Sequence, residues 1–535
     1  MKKDGSGKTD LFLGLDLSTQ GLKGTLIDAD FRVAAEDAVS FDGDLPEFKT
    51  EGGVHRRPDG LTVTSPPLMW VAALDLLFAR VKSGGWPLAS VAAVCGSGQQ
   101  HGSVWLKRGA RKALAKLDPA RSLREQLTDA FSVADSPVWM DAGTQKQCDE
   151  REAALGGPQA VADLTGSRAY LRFTGNQIAR IYADDPAAYE RTDRIALVSS
   201  FAASLLIGDY APIDTSDGSG MNLMDVRKRD WSRAALEYTA PGLAAKLGPI
   251  VPGHETVGTL HAYYVRKYGF SPQCPVVAFS GDNPNSLAGL RLQRAGDVAI
   301  SLGTSDTMFG YVLRPKPSGV EGHIFANPVD PSAYMVMLCR MNGSLARERV
   351  RDAAAAGSWN TFSGFLHNTP AGNGGRMGIF FFEPEITPPT RNTGVSFFDA
   401  DGKRIDTLPP EAEVRALVES QFISLRLHGE GIGLMPSAIL ATGGASANRE
   451  ILRVISDVFG APVYTGEQTA SASLGAAYRA MHGWMCKREG RFVPFAEAMS
   501  GAPPFARAVE PDAAAHEAYN RMLGRFAKLE ESVAG

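Results

Sequence analysis

Val276-Val277-Ala278-Phe279-Ser280-Gly281-Asp282-Asn283-Pro284-Asn285 lies near the middle of the 535-residue chain. Its apolar, β-branched opening predicts a buried strand, which Ser280-Gly281 stops abruptly. The segment from Ser286 to Leu292 then predicts a helix. Asp282 therefore falls where a strand gives way to a helix, the edge on which open α/β sheets place their ligands. A carboxylate there can accept a proton from a substrate hydroxyl, or simply cap the helix that follows.

Two stretches on either side of this one resemble each other. Leu11 to Leu17 predicts a strand, Ser18-Thr19-Gln20-Gly21 a turn, and Leu22 to Asp28 a second strand, with Phe31 to Ser40 able to pair next. Ala299-Ile300-Ser301-Leu302-Gly303-Thr304-Ser305-Asp306-Thr307-Met308-Phe309-Gly310 repeats the scheme, and Thr304 follows Thr19 by 285 residues, slightly over half the chain. Internal similarity at that spacing predicts two related halves, each with a small-residue turn whose amides and hydroxyls can bind phosphate oxygens. Asp16, at the end of the first strand, has the hard oxygen donors that suit magnesium.

Further strand ends carry polar or glycine-rich turns. Val91 to Gly96 predicts a buried strand running into Ser97-Gly98-Gln99-Gln100-His101-Gly102, a cluster suited to a polar small molecule. Ala438 to Ala441 leads into Thr442-Gly443-Gly444-Ala445, where two glycines let a flat ligand or a phosphate approach the backbone, and Asn448 follows. Helices are expected over Pro67–Val81, from Ser136 to about Leu155, over Asn342–Ala356, Glu413–His428 and Glu467–His482. Arg168 and Arg172 share one loop, Asp217-Gly218-Ser219-Gly220 reads as a turn, and Thr387 to Leu408 reads as a surface excursion.

Composition narrows the function. Hydrophobic residues make up 44% and charged residues 21%, as in a globular protein, and the length asks for more than one domain. A net charge of -4 supplies no electrostatic case for nucleic acid or a membrane surface. Cys95, Cys148, Cys274, Cys339 and Cys486 are scattered, with no C-x-x-C pair, which argues against disulfides or structural zinc and for a reducing, cytoplasmic setting. The opening residues lack the apolar core of a secretion signal, and no run is long enough to span a membrane. Gly5-Ser6-Gly7-Lys8-Thr9 imitates the end of a P-loop, but Lys2 stands where that motif needs its first glycine.

In chain order, Leu15-Asp16-Leu17-Ser18-Thr19-Gln20, Gln99-Gln100-His101-Gly102, Trp139-Met140-Asp141, Gly281-Asp282-Asn283, Leu302-Gly303-Thr304-Ser305 and Thr442-Gly443-Gly444-Ala445 resemble the FGGY carbohydrate kinases, over about Leu11 to Met485. The likeness is greatest to the eukaryotic-type members that phosphorylate xylulose. It implies an α/β fold of two actin-like, ribonuclease-H-like ATPase domains with a ligand cleft between them. The expected boundaries are a tail over residues 1–10, an N-terminal domain over 11–290, a C-terminal domain over 291–485 and a helical extension over 486–535. The implied reaction is ATP-dependent phosphorylation of D-xylulose to D-xylulose 5-phosphate, with Asp282 as general base on the 5-hydroxyl.

The resemblance also implies roles for individual residues. Asp16 positions Mg2+; Thr19, Gln20, Gly303 and Thr304 surround the phosphates; Gly443, Gly444 and Asn448 contact the adenosine, with Trp359 nearby. His101, Arg172, Asp282 and Asn283 hold the ketose. Arg172 is preferred to Arg168 because Arg172-Phe173-Thr174-Gly175-Asn176-Gln177 carries the match. Two departures stand out: Arg180 and Tyr182 occupy places where the family often has Lys and Trp, and Trp139-Met140-Asp141-Ala142-Gly143 lacks the arginine of the usual Trp-x-Asp-x-Arg. The expected partners are a ketose and ATP, with neither nucleic acid nor membrane, in a monomer or homodimer. Other assignments stay open: an FGGY kinase for another ketose, polyol or sugar acid, a non-kinase actin-like ATPase, and a sugar-sensing pseudokinase.

Overall fold

The computed structural model describes residues 10–466 and 472–535. The P-loop-like segment Gly5–Thr9 and the first residues of the expected helix from Glu467 lie outside them. The chain forms two compact units, one of residues 1–293, 325–333 and 470–503, the other of residues 294–324, 334–469 and 504–535.

The first unit is built on a seven-stranded sheet: β1 (Leu11–Leu17), β2 (Gly21–Asp28), β3 (Val33–Ser40), β4 (Val91–Gly98), β5 (Thr256–Thr259), β6 (Pro275–Val277) and β7 (Ser280–Gly281). The order is β5-β6-β4-β1-β2-β3, with β7 on the far end of β4. β1 pairs antiparallel with β2, Leu17 opposite Leu22, and parallel with β4, Asp16 opposite Ser97. Leu11, Phe12, Leu13, Leu15 and Leu17 are all buried, the near-continuous apolar run of a strand covered on both faces.

One of those covers is the helix Ala472–Glu489, most of which falls within the stretch that the resemblance gives to the C-terminal domain. It returns to lie on β1, with the Phe12 and Trp484 rings edge to face at 5.5 Å and the Thr25 and Ser473 hydroxyls 2.8 Å apart. Small residues make the approach feasible: a Cβ on Gly14 would stand 1.9 Å from the Ser473 carbonyl, and one on Gly475 would stand 1.8 Å from the Asn285 carbonyl. A return of this kind leaves no mark in local periodicity.

The second unit repeats the core of the first. Six strands of its seven-stranded sheet are β8 (Asp297–Leu302), β9 (Asp306–Val312), β10 (Tyr334–Arg340), β11 (Ala438–Thr442), β12 (Val463–Thr465) and β13 (Ala506–Val509), in the order β10-β9-β8-β11-β12-β13. β8 pairs antiparallel with β9, Leu302 opposite Asp306, and parallel with β11, Ser301 opposite Thr442. Each unit thus sets a tight hairpin beside a parallel strand, as the repeat at Thr19 and Thr304 predicts. The fully buried Arg347 grips the exit of the second hairpin, donating to both carboxylate oxygens of Asp306 at 2.7 and 2.8 Å.

Three expectations need correction. Ser136-Pro137 is a short strand against Val63–Ser65, and the helix begins only at Gln145, because Pro137 and the Asp141 loop stop it starting earlier. The segment from Thr387 to Leu408 is no simple excursion: Gly394–Phe398 and Arg404–Ile405 complete a three-stranded sheet with Met377–Phe381. The helix after Gly281 runs Asp282–Gly289 rather than Ser286–Leu292, with Gly281 at its cap, so Asp282 is its first residue and not its cap. No helix among the described residues is long and apolar enough to cross a membrane.

Candidate active site

In the first unit the strand ends gather most of the polar residues singled out above. The Ser97 hydroxyl donates to Asp16 Oδ1, across the β1–β4 register that puts the two side by side. Burial raises the Asp16 carboxyl above its usual range, against the lowering pull of Ser97 and Lys23. Asp282 is pushed up to about 7, first by burial and then by the charge of Asp16, while the backbone amides of Asn283 and Gln100 pull the other way. Two carboxylates that sense each other at a strand edge give one group able to take a proton near neutrality.

Asn283 steadies that group. Its backbone N–H donates to Asp282 Oδ1 at 2.9 Å, and its side-chain amide donates to the same oxygen at 3.2 Å and to Gln100 Oε1 at 2.9 Å. Gln100 Nε2 and both polar atoms of Gln99 are buried without a hydrogen-bond partner. Buried amides seldom go unsatisfied, and these are groups that the hydroxyls of a ligand can satisfy.

His101 sits beside them with φ +69°, a left-handed backbone that aims its ring inward. Nδ1 lies 2.9 Å from the Gly220 carbonyl, which accepts only if that nitrogen carries the proton. The ring stacks on Phe173 at 4.5 Å, and burial followed by the Arg172 guanidinium drives its pKa down to about 3. A neutral imidazole with Nε2 as acceptor results. Arg172 lies over the Trp139 ring at 5.9 Å and forms no ion pair among the described residues, whereas Arg168 is occupied by Glu152 at 3.0 Å. Of the two arginines, Arg168 is the one held by a carboxylate.

Thr19 and Gln20 occupy the β1–β2 turn, half-buried and exposed respectively. The Trp139 indole N–H donates to Thr19 Oγ1 at 2.8 Å. Trp139 is itself held through Asp141, which is fully buried, pairs with Arg180 at 2.9 Å and accepts from Gln177 at 3.0 Å. The Trp-x-Asp loop is thus a brace, and Arg180 has a structural partner there.

The second unit contributes a cavity of about 790 Å³ lined by Gly303, Thr304, Trp359, Gly444 and Asn448, five of the residues expected around ATP. Gly443 is absent from the lining and takes φ +82°; a Cβ there would stand 2.6 Å from the Leu302 carbonyl, so it seats the turn against β8. At Gly444 a Cβ would meet nothing within 4 Å, leaving the backbone open to a flat ligand. Asn448 caps the helix Arg449–Phe459 through Oδ1 and donates to Ser363 Oγ at 2.9 Å, which leaves its side chain little for a nucleotide. Trp359 is 37% exposed, with the Arg351 guanidinium 4.7 Å over its ring. Ser344, Glu348 and Ser363 also line the cavity and carried no sequence signal.

Among the described residues no group of three or more His, Cys, Asp or Glu side chains gathers as a metal site. Asp16 fits magnesium nonetheless, because that ion keeps most of its water and binds through one or two carboxylates.

Comparison with known proteins agrees with this geometry. Residues 130–289 match the model of the FGGY family of carbohydrate kinases, N-terminal domain, and residues 298–484 that of the C-terminal domain. A mouse protein named xylulose kinase is 52% identical over 524 residues, covering 97% of this chain and 94% of its own length. Xylulose kinase 2 of Arabidopsis thaliana is 49% identical over 504 residues, covering 92% and 90%. The crystal structure of xylulose kinase from Rhodospirillum rubrum superposes with a TM-score of 0.80 over 98% of each chain at 17% identity, which speaks for the fold alone. Two hairpin-bearing α/β units of the actin-like ATPase fold, both family domains in order and half-identity over nearly the full length leave one conclusion: this chain belongs to the FGGY family of carbohydrate kinases.

Proposed function

We propose that this kinase transfers the γ-phosphoryl group of ATP to the 5-hydroxyl of D-xylulose, giving D-xylulose 5-phosphate, with Asp282 as general base. The observation that carries the reading is a carboxyl held near neutrality at a strand end, in a chain half-identical to proteins named for xylulose.

The chain's residues divide the work. Neutral His101 offers Nε2 to one sugar hydroxyl, Arg172 offers donors to another oxygen, and Asn283 holds the base against Gln100. Asp282 takes the proton of the attacking hydroxyl as the oxygen–phosphorus bond forms, assistance worth about 100- to 10,000-fold. Thr19, Gln20, Gly303 and Thr304 donate to phosphate oxygens, so positioning and charge stabilisation supply most of the rest. Asp16 would hold Mg2+, through water or directly. When bound, that ion neutralises charge on the phosphates. The Gly444 turn and Trp359 face the adenosine, while Gly443 and Asn448 shape that wall.

A coupled ADP-release assay across pentuloses, polyols and sugar acids tests the reading. D-Xylulose should give a kcat/KM at least ~10-fold above any other compound, the scale on which lost hydroxyl contacts are felt. A polyol or sugar acid heading the series would refute it.

A further inference from the structure

Asp217 belongs to the turn that sequence reasoning could not place. It stands in the short helix Thr215–Ser219, 2% exposed, beside the equally buried Asp214. Asp214 Oδ1 accepts from the backbone N–H of Asp217 at 2.8 Å and from the Ser280 hydroxyl at 2.9 Å. Arg479 faces the other oxygen of Asp214 at 3.5 Å and donates elsewhere to Asn285 Oδ1 and to the carbonyls of Gly253 and Ala278. The cluster's cation is therefore placed at Asp214.

Asp217 has no ion pair among the described residues. The Ser199 hydroxyl donates to its Oδ2 at 2.5 Å, and Oδ1 is buried without a partner. That unpaired oxygen lies 2.9 Å from where a Cβ on Gly281 would stand, and Gln100 Cγ lies 2.3 Å from the same point. Gly281 leads directly into Asp282, and Gln100 accepts from Asn283. Asp217 thus backs both residues that carry the base and its neighbour. Its carbonyl also accepts from Gly220 N–H at 3.0 Å, and Gly220 in turn holds the His101 ring.

We propose that Asp217 is a positioning residue of the phosphoryl-acceptor site: a neutral carboxylic acid that braces Gly281 and Gln100 without placing a second charge beside Asp282. An ionised Asp217 between Asp214 and Asp282 would oppose ionisation of the base, since like charges in a buried cluster disfavour one another. Burial first, then Asp214, hold the Asp217 carboxyl well above the usual range, in keeping with the geometry. A neutral acid keeps the shape and the hydrogen bonds and omits the charge.

The inference rests on Asp282 being the base, so the test includes that residue. The full-length variants Asp217→Ala, Asp217→Asn, Ser199→Ala and Asp282→Asn are assayed with D-xylulose and ATP, and their folding is checked by circular dichroism. Asp217→Ala should lower kcat by about 30-fold or more, the scale of a small misplacement of reacting groups, with the KM for ATP within about 3-fold. Asp217→Asn, which has the shape of the neutral acid and likewise carries no charge, should restore kcat to within about 3-fold. Ser199→Ala releases Oδ2 and should fall between them; it replaces Asp217→Ala should that variant not fold. A folded Asp217→Asn as impaired as Asp217→Ala would mean that an ionised carboxylate is needed, and a fully active Asp217→Ala that the turn needs no brace; either overturns the proposal. Normal turnover by Asp282→Asn would remove the premise instead, whatever the Asp217 variants do.

Discussion

The indole N–H of Trp139 donates to the hydroxyl oxygen of Thr19 at 2.8 Å, while the face of the same ring lies under Arg172 at 5.9 Å. A residue proposed to hold sugar and a residue proposed to hold phosphate therefore share one side chain. Because Thr19 Oγ1 accepts from the indole, its own proton is free to be donated to an anion. Trp139→Phe keeps an aromatic face for Arg172 and deletes the donor. A single neutral hydrogen bond contributes about 0.5–1.5 kcal/mol, so the KM for ATP should rise by roughly 2- to 10-fold with the sugar KM little changed. Steady-state kinetics with each substrate varied in turn would show it, and an effect confined to the sugar KM would contradict it.

The pH dependence follows from the position of the Asp282 carboxyl near 7. A base must be ionised to accept a proton, so kcat/KM for the sugar should fall as pH drops through about 7, approaching tenfold per unit below it. Stability runs the other way. The folded-state pKa is raised from 3.8, so the contribution is fully present below about pH 4 and is lost as pH rises through about 7. Asp282→Asn should accordingly have a higher melting temperature than the parent at about pH 8 and no such advantage at about pH 4. Thermal scans at the two pH values measure this directly.

Much of the above was legible in residue order, for physical reasons. Strand ends bearing Asp16, Asp282 and the paired small-residue turns announce themselves because buried β-branched runs stop at glycine or serine. His101 was legible locally as part of a polar cluster at a strand end, but its role, like that of Arg172, only through likeness to a family; nothing local says that one ring loses its proton or that one arginine lacks a carboxylate. Asp217 was legible only as part of a turn, and Asp214 and Arg479 not at all, because their cluster draws on segments around residues 214, 280 and 479, which only the folded chain brings together. The placement of the helix Ala472–Glu489 was missed for the same reason, since its seat on β1 and on the helix Asp282–Gly289 depends on absent side chains at Gly14 and Gly475.

That seat is testable. A methyl group on Gly475 would stand 1.8 Å from the Asn285 carbonyl and 2.8 Å from the Gly289 nitrogen, both backbone atoms that cannot swing aside. Gly475→Ala should destabilise the first unit by on the order of 1–3 kcal/mol or more, despite alanine's better helix propensity. Urea denaturation followed by fluorescence would reveal a lowered midpoint. An unchanged midpoint would mean that the helix packs elsewhere.

In the second unit His428 bridges two carboxylates, Nδ1 to Glu321 at 2.6 Å and Nε2 to Glu530 at 3.0 Å, and so ties the C-terminal helix Ala513–Ala534 to the helix Pro410–Ile432. Burial opposes its charge, but hydrogen bonds to Glu321 and Glu530 prevail and raise its pKa from 6.5 to about 9. The stabilisation is fully present below pH 6.5 and is lost as pH climbs through about 9. His428→Gln should cost about 1–3 kcal/mol at neutral pH, and the difference from the parent should shrink above pH 9. Hydrogen exchange of the C-terminal helix at the two pH values would report it; a pH-independent difference would assign the effect to packing.

Asp282→Asn tests the central claim most directly. The substitution keeps an oxygen for the hydrogen bonds from Asn283 and removes the carboxylate that would accept the proton. With D-xylulose and ATP, kcat should fall by about 100- to 10,000-fold while ATP affinity stays within about 3-fold of the parent. Turnover within a few-fold of the parent, in a folded protein that still binds ATP, would show that the proton leaves by another route.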